Sequence, residues 1–155
     1  MKKLRFLPLL LAGLLPACSK DDAAADTTYP EIDISAADAF PVQCSVLKRG
    51  ENFDVKMLLR DNRELGSLSI DIHHNFDQHS HSTEVNTCNS DPVKIPVNPF
   101  VLIKSYPLPA AQTSYRAEMQ ISVPQDIDPG DYHFLVRVTD KAGWQTIRGI
   151  SIKII

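Results

Sequence analysis

Alternation of apolar and polar residues at a period of two, repeated along most of the chain, constrains its fold more than any other feature. Leu68, Ile70 and Ile72 alternate with Ser67, Ser69 and Asp71. The pattern recurs at Ala117, Met119, Ile121 and Val123, at Tyr132, Phe134, Val136 and Val138, and at Ile150, Ile152 and Ile154. Phe53–Arg60 is a denser apolar run bounded by Gly50 and by Asp61-Asn62. Successive side chains of a strand point to opposite faces, so each run offers one face to a core and one to solvent. Pro129-Gly130 and Ala142-Gly143 punctuate the last three runs, as turn residues do between strands. No segment beyond the N-terminal leader carries a helical period. Seven or so strands in about 125 residues predict an all-β, antiparallel sandwich.

The leader itself is read as an address. Lys2, Lys3 and Arg5 precede an apolar stretch, Phe6 to Leu15, that is short for a membrane span. It ends in L-P-A-C, Leu15 to Cys18, which resembles a bacterial lipobox with Cys18 as the lipidated residue. The S-K-D-D that follows, Ser19 to Asp22, is similar to the surface-export signal of lipoproteins in one large phylum of anaerobic diderm bacteria. The expected layout is a signal peptide at 1–17, a flexible acidic tether at 18–28, and one domain at 29–155. The expected location is the outer membrane, with the domain exposed at the cell surface and the lipid on Cys18 as its membrane partner. The leader carries three of the sixteen basic residues and none of the nineteen acidic ones, so without it thirteen basic residues face nineteen acidic and the formal charge is −6. That balance argues against a nucleic-acid partner, which needs a basic face.

With Cys18 assigned to lipid, Cys44 and Cys88 remain. Outside the inner membrane they can form a disulfide. Cys88 also lies seven residues past His81, within reach of a metal-ligand role, and the two readings compete.

Between the strand signals, D-I-H-H-N-F-D-Q-H-S-H, Asp71 to His81, holds four of the five histidines. Histidine is the commonest side-chain metal ligand, and packing does not account for such density. Asn75 to Ser90 is polar and aperiodic, and Pro92, Pro96, Pro99, Pro107 and Pro109 break the chain after it into an edge-like path. A loop of this length in a sandwich is more often functional than accidental.

G-D-Y-H-F-L-V-R-V-T-D-K-A-G-W, Gly130 to Trp144, resembles the penultimate strand and hairpin of bacterial immunoglobulin-like and cadherin-like domains. R-G-E at Arg49 to Glu51, the run to Arg60 and R-D-N-R-E-L-G-S-L to Leu68 are similar to their second-to-third strand passage. H-H-N-F-D-x-H-S-H, D-P-V-K-x-P-V-N-P at Asp91 to Pro99 and G-D-Y-H-F together resemble an uncharacterised family of bacterial lipoproteins, a domain of unknown function numbered 4625. The resemblance implies an immunoglobulin-like β-sandwich with a long loop insertion, and brings no established activity.

In such a sandwich the strand near Leu65 to His74 pairs antiparallel with that near Asp131 to Asp140. By parity Ile70, Ile72, Phe134 and Val136 face the core, which puts His73 and His133 together on the outer face. If Asp77 to His81 is extended, Asp77, His79 and His81 share one side. The expected metal set is His73, Asp77, His79, His81 and His133, with Asp71 as a carboxylate orienting an imidazole. His74 falls on the inward face as a structural residue. Asp140 is read as hairpin-turn chemistry, and Trp144 and Phe100 as packing.

Nitrogen-rich ligands favour zinc or copper over calcium or magnesium. No nucleophile, acid pair or phosphate loop stands out. The leading expectation is therefore a non-catalytic, surface-anchored metal-binding module, with an outer-membrane transporter or a surface ligand as partner. An adhesion or glycan-binding module without metal, and a metalloenzyme with an open histidine site, are the alternatives.

Overall fold

The computed structural model describes residues 24–81 and 88–155; Cys18 and the leader lie outside them. Every regular element among the described residues is a strand: β1 (Glu31–Asp33), β2 (Ser45–Leu47), β3 (Asn52–Arg60), β4 (Leu65–His74), β5 (Leu102–Pro107), β6 (Ser114–Ser122), β7 (Gly130–Asp140) and β8 (Gln145–Ile154). They form two sheets, in the orders β1-β3-β6 and β2-β8-β7-β4-β5. All pairings are antiparallel except β2 with β8. The two sheets pack as an immunoglobulin-like β-sandwich.

The alternating runs supply the core. Val55, Met57 and Leu59 of β3, Leu68, Ile70 and Ile72 of β4, and Phe134, Val136 and Val138 of β7 are all buried. The Phe53 ring stands edge-on to Phe134 across the two sheets, with centroids 6.3 Å apart. Each such side chain contributes about 1.5–3 kcal/mol relative to exposure. The intervening residues of β4 and β7 form the outer face of the larger sheet. The proline-flanked β5 lies at that sheet's edge, where a missing N–H costs no ladder bond.

Three contacts fix the end of the sandwich where β4 stops and β7 starts. The Tyr132 hydroxyl donates to Asp128 O at 2.6 Å and accepts from Phe100 N at 3.2 Å. A tyrosine near the start of the penultimate long strand, bonded back to the chain a few residues upstream, is a recurring corner of immunoglobulin-like domains. Burial pushes the phenol's pKa up, so the hydroxyl keeps its proton. Phe76, just past β4, is buried with its ring edge-on to Tyr132 at 5.3 Å. Gly130 makes room for it: φ there is +134°, and a Cβ would lie 3.0 Å from Phe76 Cε1. Cys44 and Cys88 are joined as a disulfide, with Cα atoms 5.6 Å apart. Closing the 44-residue separation stabilises by about 4 kcal/mol in the chain-entropy picture.

Residues 24–28, expected at the end of a flexible tether, lie against the domain instead. Trp144 Nε1 donates to Asp26 O at 2.8 Å, Asn62 Nδ2 donates to Asp26 Oδ1 at 3.0 Å, and the Tyr29 ring packs on Trp144 at 4.8 Å. The ordered domain therefore begins before residue 29. Trp144 packs as expected, with the N-terminal segment as its neighbour, and Phe100 is buried.

Removing the Tyr132 hydroxyl leaves the buried Phe100 amide and the half-buried Asp128 carbonyl without their partner. Tyr132→Phe is expected to lower stability by about 1–3 kcal/mol. Urea denaturation should show a lower midpoint at an unchanged slope; an unchanged midpoint would remove the corner from the list of stabilising contacts.

Candidate metal centre

His73 and His133 sit directly opposite each other in the β4–β7 ladder, on the outer face of the larger sheet. Their ring centroids are 5.3 Å apart. Beyond His74 the chain does not stay extended. Asn75 N donates to Asp131 O, Phe76 turns into the core, and Gln78 N donates to Asn75 O at 3.2 Å with Gln78 at φ 57°. This turn swings His79 and His81 back over the outer face. Their rings arrive 4.7 Å and 4.6 Å from that of His133. His133 consequently has 0% exposure although it occupies an outward strand position.

One imidazole nitrogen from each of His73, His79, His81 and His133 lies within 4.8 Å of the others. Fixed acceptors set the tautomers of two rings. His73 Nδ1 is 2.8 Å from Asp71 Oδ1, and His79 Nδ1 is 2.6 Å from Asp77 Oδ1. An ionised carboxylate only accepts, so both Nδ1 atoms carry the proton and both Nε2 atoms carry the lone pair. His133 Nε2 donates to the carbonyl of His79 at 3.2 Å. The His79 N–H also holds the Asp77 carboxyl below the usual carboxylate range. His73 Nε2 and His81 Nε2 face each other at 3.2 Å. His81 Nε2 can donate to the His73 lone pair across that gap, or, with its proton on Nδ1, turn a second lone pair toward a shared cation, and the donor set is one that zinc and copper accept.

Asp77 is a correction to the expected metal set. The expectation rested on an extended Asp77–His81 segment. The turn at Phe76–Gln78 breaks that parity, and Asp77 stands outside the four-nitrogen group, behind His79. Asp71 occupies the orienting place expected of it, behind His73. Cys88 is spent in the disulfide and offers no thiolate. His74 packs 5.0 Å from the Phe76 ring, apart from the other four histidines. The sequence reading missed Phe76 as the hook that closes the loop; its signal was a lone aromatic in an otherwise polar stretch.

A cavity of about 660 Å³ opens beside His79 and His81, bordered by Cys44, Cys88, Asn75 and Lys153. It lies open to solvent beside two of the four imidazoles.

The chain matches none of the curated proteins. Among solved structures it is similar to a family 123 glycoside hydrolase from Clostridium perfringens, described in a study of glycolipid glycan hydrolysis. The TM-score is 0.48 and the identity 14%, over 83% of this chain and 27% of that one. The chain thus spans about a quarter of the hydrolase's length, with 27% covered. At residues 16–155 the chain matches the family described as Domain of unknown function (DUF4625), and it belongs to that family.

Proposed function

We propose that this protein is a surface-anchored lipoprotein whose domain binds a transition metal through His73, His79, His81 and His133. Zinc is the first choice and copper the second, and the role is to hold or hand over the metal. The observation that carries this reading is the convergence of four imidazole nitrogens, with carboxylates behind two of the rings. Carboxylate-backed histidine is a recurrent device of metal sites, because it fixes both the tautomer and the ring orientation. Two ligands of a tetrahedral ion at 2.0–2.1 Å stand about 3.3 Å apart; the His73–His81 separation is 3.2 Å.

Four nitrogens close a tetrahedral shell, whereas a catalytic ion keeps one position open. This favours binding over catalysis. The cavity beside His79 and His81 supports loading and unloading from solvent. The basic leader, its apolar stretch and L-P-A-C support a lipid anchor at Cys18, and S-K-D-D supports display outside the outer membrane. An outer-membrane transporter is the natural recipient of a metal held there.

Elemental analysis of tag-free protein purified without chelator is expected to find about one zinc or copper per chain. The His79→Ala/His81→Ala variant should lose it. Protons compete for imidazole nitrogen, so affinity should fall as the pH drops below about 6.5. A folded wild type that takes up none of added zinc, copper or nickel would overturn the reading.

Asp71→Ala frees the His73 ring to rotate and is expected to weaken metal affinity about 10- to 100-fold while leaving the fold intact. Competition against a chromophoric chelator measures it, and unchanged affinity would mean that Asp71 does not position the ligand.

The anchor has its own test. Labelled fatty acid fed to the producing bacterium should enter the wild type and not Cys18→Ser. Equal labelling of both would remove Cys18 as the lipid site.

A further inference from the structure

The other end of the sandwich carries a second cluster, of oxygen rather than nitrogen. Asp26 lies in the N-terminal segment, Asp61 directly follows β3, and Asp140 ends β7. One carboxylate oxygen from each lies within 4.8 Å of the others. Asp140 is seven residues along β7 from His133, about 23 Å away at strand rise, so this cluster is separate from the imidazoles.

Each carboxylate is already held by one oxygen. Asp140 Oδ1 accepts from Gly143 N at 2.6 Å and Trp144 N at 2.7 Å. Asp61 Oδ2 accepts from Arg63 N at 2.8 Å and Glu64 N at 2.7 Å. Asp26 Oδ1 accepts from Thr28 N at 3.1 Å and Asn62 Nδ2 at 3.0 Å. The amide of Thr28, then Asn62, holds the Asp26 carboxyl below the ordinary range, so it stays ionised.

The remaining oxygens are the anomaly. Asp140 is only 4% exposed, and its Oδ2 is buried without a hydrogen-bond partner among the described residues; so is Asp61 Oδ1. Buried carboxylate oxygens are normally paired, and three carboxylates this close repel one another. Turn-capping accounts for Asp140 Oδ1 and Asp61 Oδ2 and leaves the other oxygens unexplained. A bound cation accounts for them. Calcium sits 2.3–2.6 Å from its oxygens, so two of its ligands can stand up to about 5 Å apart, and it fills the rest of its shell with carbonyls and water.

We propose that Asp26, Asp61 and Asp140 form a second cation site, for a hard divalent ion of calcium's size, that clamps the N-terminal segment onto the base of the sandwich. Asp61 and Asp140 are fixed to strand ends, and Asp26 is the ligand that the incoming segment brings. The ion therefore sets how the domain is held relative to whatever precedes residue 24. The chain's single tryptophan reports the event, because Trp144 donates to Asp26 O and packs on Tyr29.

The test is a calcium titration of chelator-stripped protein, followed by calorimetry and by Trp144 fluorescence. The expected result is one saturable site with a dissociation constant of about 0.1–1 mM, as in extracellular calcium modules. Fluorescence should change in step with the heat. Asp26→Ala, which touches only the segment and spares the core, should weaken binding at least tenfold and abolish the fluorescence change. Asp61→Asn, checked for native circular dichroism, should also weaken it. The His79→Ala/His81→Ala variant should bind calcium as the wild type does, which separates this site from the histidine centre. The inference is overturned by folded wild type with no saturable binding up to about 10 mM, well past the range of such modules. Unchanged affinity in Asp26→Ala, or loss of calcium binding in the histidine variant, overturns it as well.

Discussion

The register between β4 and β7 is the constraint on which the histidine end depends. Leu68, Ile70 and Ile72 on one strand and Phe134, Val136 and Val138 on the other are buried, and the ladder pairs them residue for residue. A slip of β4 by one residue would turn Leu68, Ile70 and Ile72 to solvent and drive His73 into the core. At about 1.5–3 kcal/mol for each large apolar side chain, that slip costs far more than any single polar contact at the site offers. The hydrophobic core therefore sets the separation of two of the four imidazoles, and no ion is needed to set it.

The other two imidazoles come from a loop, and the loop is tied at several points. Phe76 is buried against Tyr132, Asn75 N and Asp91 N bond to Asp131, and Cys88 is linked to Cys44 beside β2. Small metal-dependent domains fold only on binding their ion, because their cores are too small to order the ligands. Here the sandwich and its cross-link order the ligands first. The free energy of binding can then appear as affinity rather than as folding, in keeping with the metal-handling role proposed above.

Much of this was legible in the sequence, and the gaps have physical causes. The long strands β3, β4, β6, β7 and β8 announce themselves because one face of each is buried and the other is not. β1 and β2 have three residues each, too few for alternation to register, and β5 is an edge strand with little buried surface. Parity, together with the strand pairing that the immunoglobulin-like resemblance implied, placed His73 and His133 on one outer face, since parity is a local property of paired strands. It failed for Asp77, because the left-handed backbone at Gln78 and the inward turn of Phe76 depend on tertiary contacts. The burial of His133 was hidden for the same reason: the covering loop is remote from it in sequence. The docking of residues 24–28 was also hidden, since an Ala- and Asp-rich stretch reads as linker until Trp144 and Asn62 are seen to hold it.

β7 carries both poles of the molecule, with His133 near its start and Asp140 at its end. The two donor sets differ in kind. Imidazole nitrogens select zinc or copper, and carboxylate oxygens select hard ions such as calcium. At the cell surface proposed for this domain calcium is abundant and transition metals are scarce, so an oxygen cluster that also captured zinc would compete with the histidine centre for the rarer ion. Donor type limits that competition, because an all-oxygen set holds hard ions and suits zinc less well than imidazoles do, and about 23 Å of strand keeps one ion from bridging the two sets. In the two proposals taken together, one end of the strand would fix the domain to what precedes it, and the other would hold the transition metal. The same β-ladder that sets the separation of His73 and His133 at one pole carries Asp140 at the other, so the two proposed sites share one rigid element.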